Sequence, residues 1–420
     1  MHRPGVSRPR RLLLCLDGVP HELILAARNR GLFDGFLAPS RLLSPFPTMT
    51  NVALSAMFSA TPPNGYESLY FDKQSKHQAG GIGKYLGRRT PDKMPSSYMD
   101  QLDYQEPLAF EFLIYVAPEK IWRADMRRFH EQFSAAPQDR DYFAFLKGTD
   151  GLLHAQGPAR LAVALETLDK ILREIREFCG RETEIVLFSD HGMNLEDNKR
   201  VNLATELRRK GFTLNSQLNQ NNGRQLSIPA FGLCSYAAIY CGDHEVVSEV
   251  SDFLCNVPGI DFSVSLDEAG NVLVKGPAGS ALIERRIEDQ TTFYRYSTQA
   301  GDPLEMSQLL SNLRRDGRID ASGFVADDVL FSTTHSHKYP DALANVYRSV
   351  STHRVKHTAD VLVSIKDGYY YGWSAFARVV KLRATHGNAL RQSSNAFLMS
   401  THRDLPECIR ADEAGAYLLG

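Results

Sequence analysis

Four short stretches of the chain carry side chains suited to binding divalent cations. Residues 188–193 read FSDHGM, placing Asp190 beside His191 with a glycine directly after. Residues 149–158 read TDGLLHAQGP; Asp150 and His154 are four apart, so both fall on one face if the segment is helical. Asp17-Gly18 adds a third carboxylate and His386-Gly387 a third imidazole. Imidazole and carboxylate donors without a thiolate suit zinc and similar borderline ions. Each piece alone has a plain reading: Asp-Gly is a turn, Asp-x-x-x-His a solvated helix face, His-Gly a loop. Asp-His-Gly after an apolar run is rarer, and the four together outweigh coincidence.

These residues need rigid elements behind them. Residues 11–16 are a short apolar run stopping at Asp17-Gly18, which predicts a buried strand. Residues 141–148 (DYFAFLKG) predict a strand leading to Asp150, and residues 184–189 (EIVLFS) a strand ending at Asp190. The clearest helix spans 158–179, where Leu161, Leu165, Leu168, Leu172 and Ile175 recur at steps of four and three before Gly180. Further helices are predicted over 21–30 and 50–60, and further core strands over 108–116, 360–365 and 396–400. Residues 72–107 are polar and read as loop. Strands alternating with helices predict an α/β fold, with a mostly parallel central sheet and helices on both faces. In such sheets ligands gather at the carboxyl ends of strands, where Asp17, Asp150 and Asp190 fall. The pattern weakens from 210 to 327, which reads as an inserted cap subdomain. The catalytic core is then 10–209 plus 328–420.

Composition narrows the function classes. The chain has 420 residues, 43% hydrophobic and 23% charged, enough for a sizeable core. A net charge of -1 gives no bulk attraction to a nucleic-acid polymer or an anionic membrane, so an anionic substrate must be held locally. No apolar run reaches the length of a membrane span. The basic start and the apolar residues 12–16 run straight into Asp17, where signal cleavage would remove a carboxylate. The reading is a leader over 1–9 and a cytoplasmic chain. Six scattered cysteines, none in a CxxC pair, read as reduced core thiols.

Taken in order, the motifs resemble a known group. Asp17-Gly, then Pro47-Thr48-Met49-Thr50 opening a helix, then Asp-x-x-x-His-x-x-Gly-Pro, Ser-Asp-His-Gly-Met and a late His-Gly are similar to the alkaline-phosphatase superfamily. The branch they resemble is the type I phosphodiesterase / nucleotide pyrophosphatase family, with phosphonoacetate hydrolase as a near relative. The resemblance covers roughly 10–204 and 326–400, outside the insertion. It implies two divalent ions, zinc or manganese, one bound by Asp17, Thr50, Asp190 and His191 and the other by Asp150, His154 and His386. It implies Thr50 as nucleophile, with Thr48 as the fallback, because Asn51 follows Thr50 directly. The family's Pro-Asn pair after that threonine is absent here, as is a clear match for its downstream oxyanion asparagine.

The implied reaction is hydrolysis of a phosphodiester, phosphoanhydride or phosphonate bond in a small substrate, through a phospho-threonine intermediate. Metal coordination lowers a threonine hydroxyl's pKa, and two ions about 4 Å apart can stabilise the attacking and leaving oxygens. A phosphomonoesterase, a phosphotransferase or mutase, and a non-catalytic metal-binding relative are the alternatives. Asn51 is either a first-turn helix residue or a contact to a phosphoryl oxygen. Residues 335–341 (HSHKYPD) read as a solvated or a substrate-facing loop. Tyr369, Tyr370, Tyr371 and Trp373 read as packing, and His353, His357 and His402 as surface residues.

Overall fold

The computed structural model describes residues 10–81, 97–114, 116–219, 223–372 and 381–419. The predicted leader over 1–9 and Trp373 lie outside these residues. Arg11–Leu16 is buried throughout, and parallel strands Tyr142–Leu146 and Glu184–Phe188 flank it. Its side chains alternate between two cores, as a strand's period of two requires. Leu12, Leu14 and Leu16 pack with Leu161, Leu165, Leu168, Leu172 and Ile175 of the helix Pro158–Cys179. Leu13 and Cys15 pack with Ala53, Leu54 and Met57 of the helix Thr50–Met57 on the opposite face. At about 2 kcal/mol per fully buried aliphatic side chain, the long helix's five positions contribute on the order of 10 kcal/mol before entropy.

The sheet has seven strands, in the order Cys408–Arg410, Ser40–Leu43, Asn395–Ser400, Glu184–Phe188, Arg11–Leu16, Tyr142–Leu146 and Tyr104–Gln105. Only Asn395–Ser400 runs antiparallel to its neighbours, so the sheet is mostly parallel, with helices on both faces. All six cysteines are free thiols. Among the described residues no helix is long and apolar enough to cross a membrane.

A second sheet of nine strands runs Val325–Ala326, Thr291–Gly301, Gly279–Glu288, Val272–Gly276, Ile260–Leu266, Val361–Ile365, Tyr236–Cys241, Gln225–Ser227 and Thr213–Leu214. It is antiparallel except for its last pair. The weakly patterned stretch 210–327 therefore supplies most of an ordered sheet.

Three sequence expectations need correction. Residues 360–365 do not return to the first sheet; Val361–Ile365 pairs with Tyr236–Cys241 and Ile260–Leu266 in the second. An apolar run marks a strand buried on both faces without saying which sheet takes it. Residues 108–116 are not a core strand: Leu108–Leu113 is a helix, because Tyr104–Gln105 already occupies that edge of the first sheet. The Phe110 N–H donates to Pro107 O at 2.8 Å, and Ile114 N–H to Phe110 O at 3.0 Å. The stretch 72–107, expected as loop, holds two strands among its described residues: His77–Gly80 pairs with Leu69–Asp72 in a hairpin, and Tyr104–Gln105 is the edge strand of the first sheet.

Candidate metal centre and nucleophile

Three neighbouring parallel strands deliver their carboxyl ends to one place. Asp17 follows the first, Asp190 follows Glu184–Phe188, and Asp150 lies one turn into the helix Gly148–Gln156 after the third. Thr149 locks that helix start by donating its hydroxyl to Asp17 O at 2.7 Å. Ser189 donates its hydroxyl to Val19 O at 2.7 Å and so ties the Asp190 turn to the Asp17 turn. Two glycines are steric necessities. Gly18 has φ +69, and a Cβ there would stand 3.1 Å from Asp150 Oδ1 and 3.3 Å from the His191 ring. A Cβ on Gly192 would stand 2.2 Å from Gln392 O and 2.6 Å from Asn395 O, so only glycine fits after His191.

The three aspartates and three histidines among the seven residues expected to bind metal converge. Asp17, Asp190 and His191 offer donor atoms within 4.8 Å of one another, and so do Asp150, His191 and His386. His154 Nε2 lies 3.1 Å from Asp150 Oδ1, and His386 Nε2 lies 3.5 Å from the same oxygen. His191 Nε2 is 3.3 Å from Asp190 Oδ2 and 3.5 Å from Asp17 Oδ1. The His191 and His386 rings stack at 3.9 Å.

The donor set fits divalent cations on chemical grounds. Each imidazole has its Nδ1 at a backbone carbonyl: His154 at Ala384 O (2.7 Å), His191 at Gly192 O (2.9 Å), His386 at Thr48 O (2.7 Å). The proton therefore sits on Nδ1, and each neutral ring turns its Nε2 lone pair toward the carboxylates. Asp17 Oδ2, Asp150 Oδ1 and Asp190 Oδ2 are buried without a hydrogen-bond donor. Lone pairs facing lone pairs need a proton or a cation between them.

The electrostatics follow from burial. Desolvation pushes the Asp17 carboxyl well above the ordinary range, helped by Asp190 and Asp150. Desolvation also raises Asp190 to about 6. Burial lowers His191 to about 4 and His386 to about 3. For Asp150 burial works upward, but His154, His386 and His191 outweigh it and hold the carboxylate low. For His154 burial works downward and Asp150 outweighs it, raising the ring. Without a cation, burial thus favours the protonated form of the Asp17 and Asp190 carboxyls and the neutral form of the His191 and His386 rings. Affinity for zinc is expected to rise with pH through about 6 and above, because the raised carboxyls must ionise before they bind. Chelator competition between pH 5 and 8 measures this, and a flat profile contradicts it.

The two threonines separate cleanly. Thr50 opens its helix, with its hydroxyl 3.3 Å from Asp17 Oδ1 and 3.3 Å from His191 Nε2. Thr48 is fully buried and faces away: it accepts the Gly387 N–H at 2.8 Å, donates to Asn388 O at 3.2 Å, and takes the His386 Nδ1 proton on its carbonyl. Thr48 therefore holds the His386 loop in place. Asn51 Oδ1 accepts the Tyr98 hydroxyl at 2.9 Å.

Other expected residues lie elsewhere. Residues 335–341 pass from surface to interior: His335 meets Arg41 and Lys338 meets Glu305, while Tyr339 and Asp341 are buried and Asp341 accepts two bonds from the Arg410 guanidinium. Tyr369–Gly372 is a strand between Leu233–Cys234 and Lys199–Arg200. His353 and His402 are exposed, but His357 is buried, stacked 5.8 Å from Tyr70 and accepting the Lys73 N–H; it is not a surface residue. Sequence reading missed the framing groups, Ser189, Thr149 and the carbonyls of Ala384 and Gly192, since backbone acceptors leave no mark in residue type.

The architecture is that of an alkaline-phosphatase-like α/β protein. Phosphonoacetate hydrolase from Sinorhizobium meliloti 1021, solved with phosphonoformate, shares the fold at a TM-score of 0.53 and 13% identity, covering 98% of this chain and 95% of that one. Murine ectonucleotide pyrophosphatase / phosphodiesterase 5 does so at 0.53 and 13%, covering 97% and 94%. No curated protein matches the sequence. The profile of the type I phosphodiesterase / nucleotide pyrophosphatase family matches residues 69–287, just over half of the chain. The chain belongs to that family, one of phosphoester hydrolases. The match spans Asp150, His154, Asp190 and His191 and runs well into 210–327, which the motif resemblance had left out.

Proposed function

We propose that this protein hydrolyses a phosphodiester, phosphoanhydride or phosphonate bond in a small substrate through a covalent phospho-Thr50 intermediate. The observation carrying the reading is the Thr50 hydroxyl, 3.3 Å from both Asp17 and His191 at the start of a helix. Asp17, Thr50, Asp190 and His191 would hold one divalent cation, and Asp150, His154 and His386 a second; zinc suits the donors best. When bound, the pair supplies Lewis-acid stabilisation of the attacking and leaving oxygens.

The chain's own groups do the rest. Asp17 and His191 orient the Thr50 hydroxyl, whose proton leaves to solvent. Thr50 Oγ attacks phosphorus, the new O–P bond replaces the bond to the leaving group, and that group departs with a proton from solvent. Water then attacks phosphorus, the Thr50 O–P bond breaks, and the hydroxyl is restored. The backbone N–H groups of Thr50 and Asn51, at the positive end of the helix dipole, have no partner among the described residues and suit a phosphoryl oxygen. With Asn51 Oδ1 occupied by Tyr98, the amide nitrogen is the end left to meet substrate. Residues 210–327 form the substrate-selecting subdomain in this reading, and six free thiols suit a reducing, cytoplasmic setting.

A panel of bis-p-nitrophenyl phosphate, p-nitrophenyl phosphate, nucleotide p-nitrophenyl esters and phosphonoacetate tests it on zinc-loaded protein. The diester, nucleotide ester or phosphonate is expected to turn over fastest. Preference for p-nitrophenyl phosphate points to a monoesterase, and inactivity on all four to a metal-binding relative.

A further inference from the structure

The loops carrying His191 and His386 come from distant parts of the chain, yet their rings stack at 3.9 Å. A backbone bond joins them, from Asn194 N–H to Thr385 O at 2.8 Å, with Thr385 N–H returning to Asn194 Oδ1 at 3.0 Å. A second link is a single carboxylate. Asp367 Oδ1 accepts from Asn194 Nδ2 at 3.2 Å and from Asn388 Nδ2 at 2.9 Å. Asn194 follows His191 by three residues and Asn388 follows His386 by two, and both asparagines are fully buried. Asp367 itself comes from neither loop. It follows Val361–Ile365, the strand inside the second sheet, in a turn closed by Tyr369 N–H on Lys366 O at 3.2 Å.

We propose that Asp367 is a positioning residue that sets the spacing of the His191 and His386 loops and so tunes the affinity of the metal centre. The inference rests on the two-metal reading above. Two donors converging on one charged oxygen fix the separation of the loops that bear them. Ligand atoms must be held to within about 0.5 Å of their working positions, and groups that orient ligands typically affect metal affinity 10–100-fold. The second sheet thus reaches the centre through more than packing: Asn388 also donates its side-chain amide to Ile365 O at 2.8 Å and its backbone N–H to Ser235 Oγ at 3.1 Å. No residue type announced this role; Asp367-Gly368 reads as a turn in the sequence.

The test uses full-length protein and zinc. Apparent zinc affinities by chelator competition, with melting temperatures in chelator, are measured for wild type, Asp367→Ala, Asp367→Asn and Tyr339→Phe. Tyr339 donates its hydroxyl to Asp261 at 3.1 Å on the strand Ile260–Leu266 of the second sheet and makes no bond to Asn194 or Asn388, so its variant reports a generic structural loss. Asp367→Ala is expected to weaken zinc binding about 10–100-fold. Asp367→Asn keeps an oxygen that can accept both bonds and is expected within about threefold of wild type. Tyr339→Phe is expected to lower the melting temperature without moving zinc affinity. Wild-type affinity in Asp367→Ala, or Asn failing as Ala does, overturns the inference. If Asp367→Ala does not fold, Asn194→Ala, which cuts one arm of the strut, must show the same loss, and unchanged affinity there overturns the inference too. A wild-type protein taking up no zinc fails the reading of the site, and the inference with it, a result distinct from the others.

Discussion

Thr50→Ala is expected to lower kcat on the best substrate by a factor on the order of 10³ or more, the scale seen when a nucleophile is removed. Zinc content should stay near that of wild type, because Asp17, Asp190 and His191 keep their places without the hydroxyl. Thr48→Ala should behave differently. It removes the acceptor for Gly387 N–H and loosens the His386 loop, so zinc affinity should fall while the saturated enzyme keeps most of its kcat. Elemental analysis and steady-state kinetics of both variants decide between the two hydroxyls. Wild-type kcat in Thr50→Ala with loss of turnover in zinc-saturated Thr48→Ala would reverse the assignment. Of the two hydroxyls only that of Thr50 faces the carboxylates.

Removing metal should cost a large share of the protein's stability. Without a cation, three buried carboxylate oxygens lack a hydrogen-bond donor, and two of them, Asp150 Oδ1 and Asp190 Oδ2, face imidazole nitrogens. Two ions present at a thousand times their dissociation constants would stabilise the fold by about 4 kcal/mol each. With an unfolding entropy of about 2.1 cal/mol/K per residue, 420 residues convert about 8 kcal/mol to a shift of about 9 °C. Calorimetry at pH 7.5 with and without chelator should show a drop of that order, restored by adding zinc. A melting temperature unmoved by chelation in a protein shown to contain zinc would mean that the site's charges are balanced some other way.

That three aspartates and three histidines converge was legible because metal chemistry restricts residue type and because strands end where apolar runs end. Asp17, Asp150 and Asp190 could be placed on one sheet edge from those two facts. The long helix was legible from its spacing, and Pro158–Cys179 has the predicted bounds. What was not legible depends on partners rather than on periodicity. The run 361–365 is apolar in either sheet, and only its pairing with 236–241 and 260–266 decides. The run at 108–113 has strand-like composition, yet the place beside Tyr142–Leu146 was taken. His357 looked polar and exposed until its ring found Tyr70. Sequence preferred Thr50 to Thr48 only through the Asn51 that follows it, because the direction a hydroxyl faces at a helix start is set by the loops around it.

The position of Val361–Ile365 also bears on how far this protein can be taken apart. Its neighbours on both sides belong to the stretch 210–327, while the turn that follows it braces the loops of the first sheet. Cutting out that stretch would strip both edges of an apolar strand and leave a ready template for pairing with other chains. The second sheet is therefore no detachable module. Swapping it wholesale between relatives to change substrate preference would meet an assembly problem before any question of specificity. Exchange of surface loops that leaves this strand paired is the route the architecture permits.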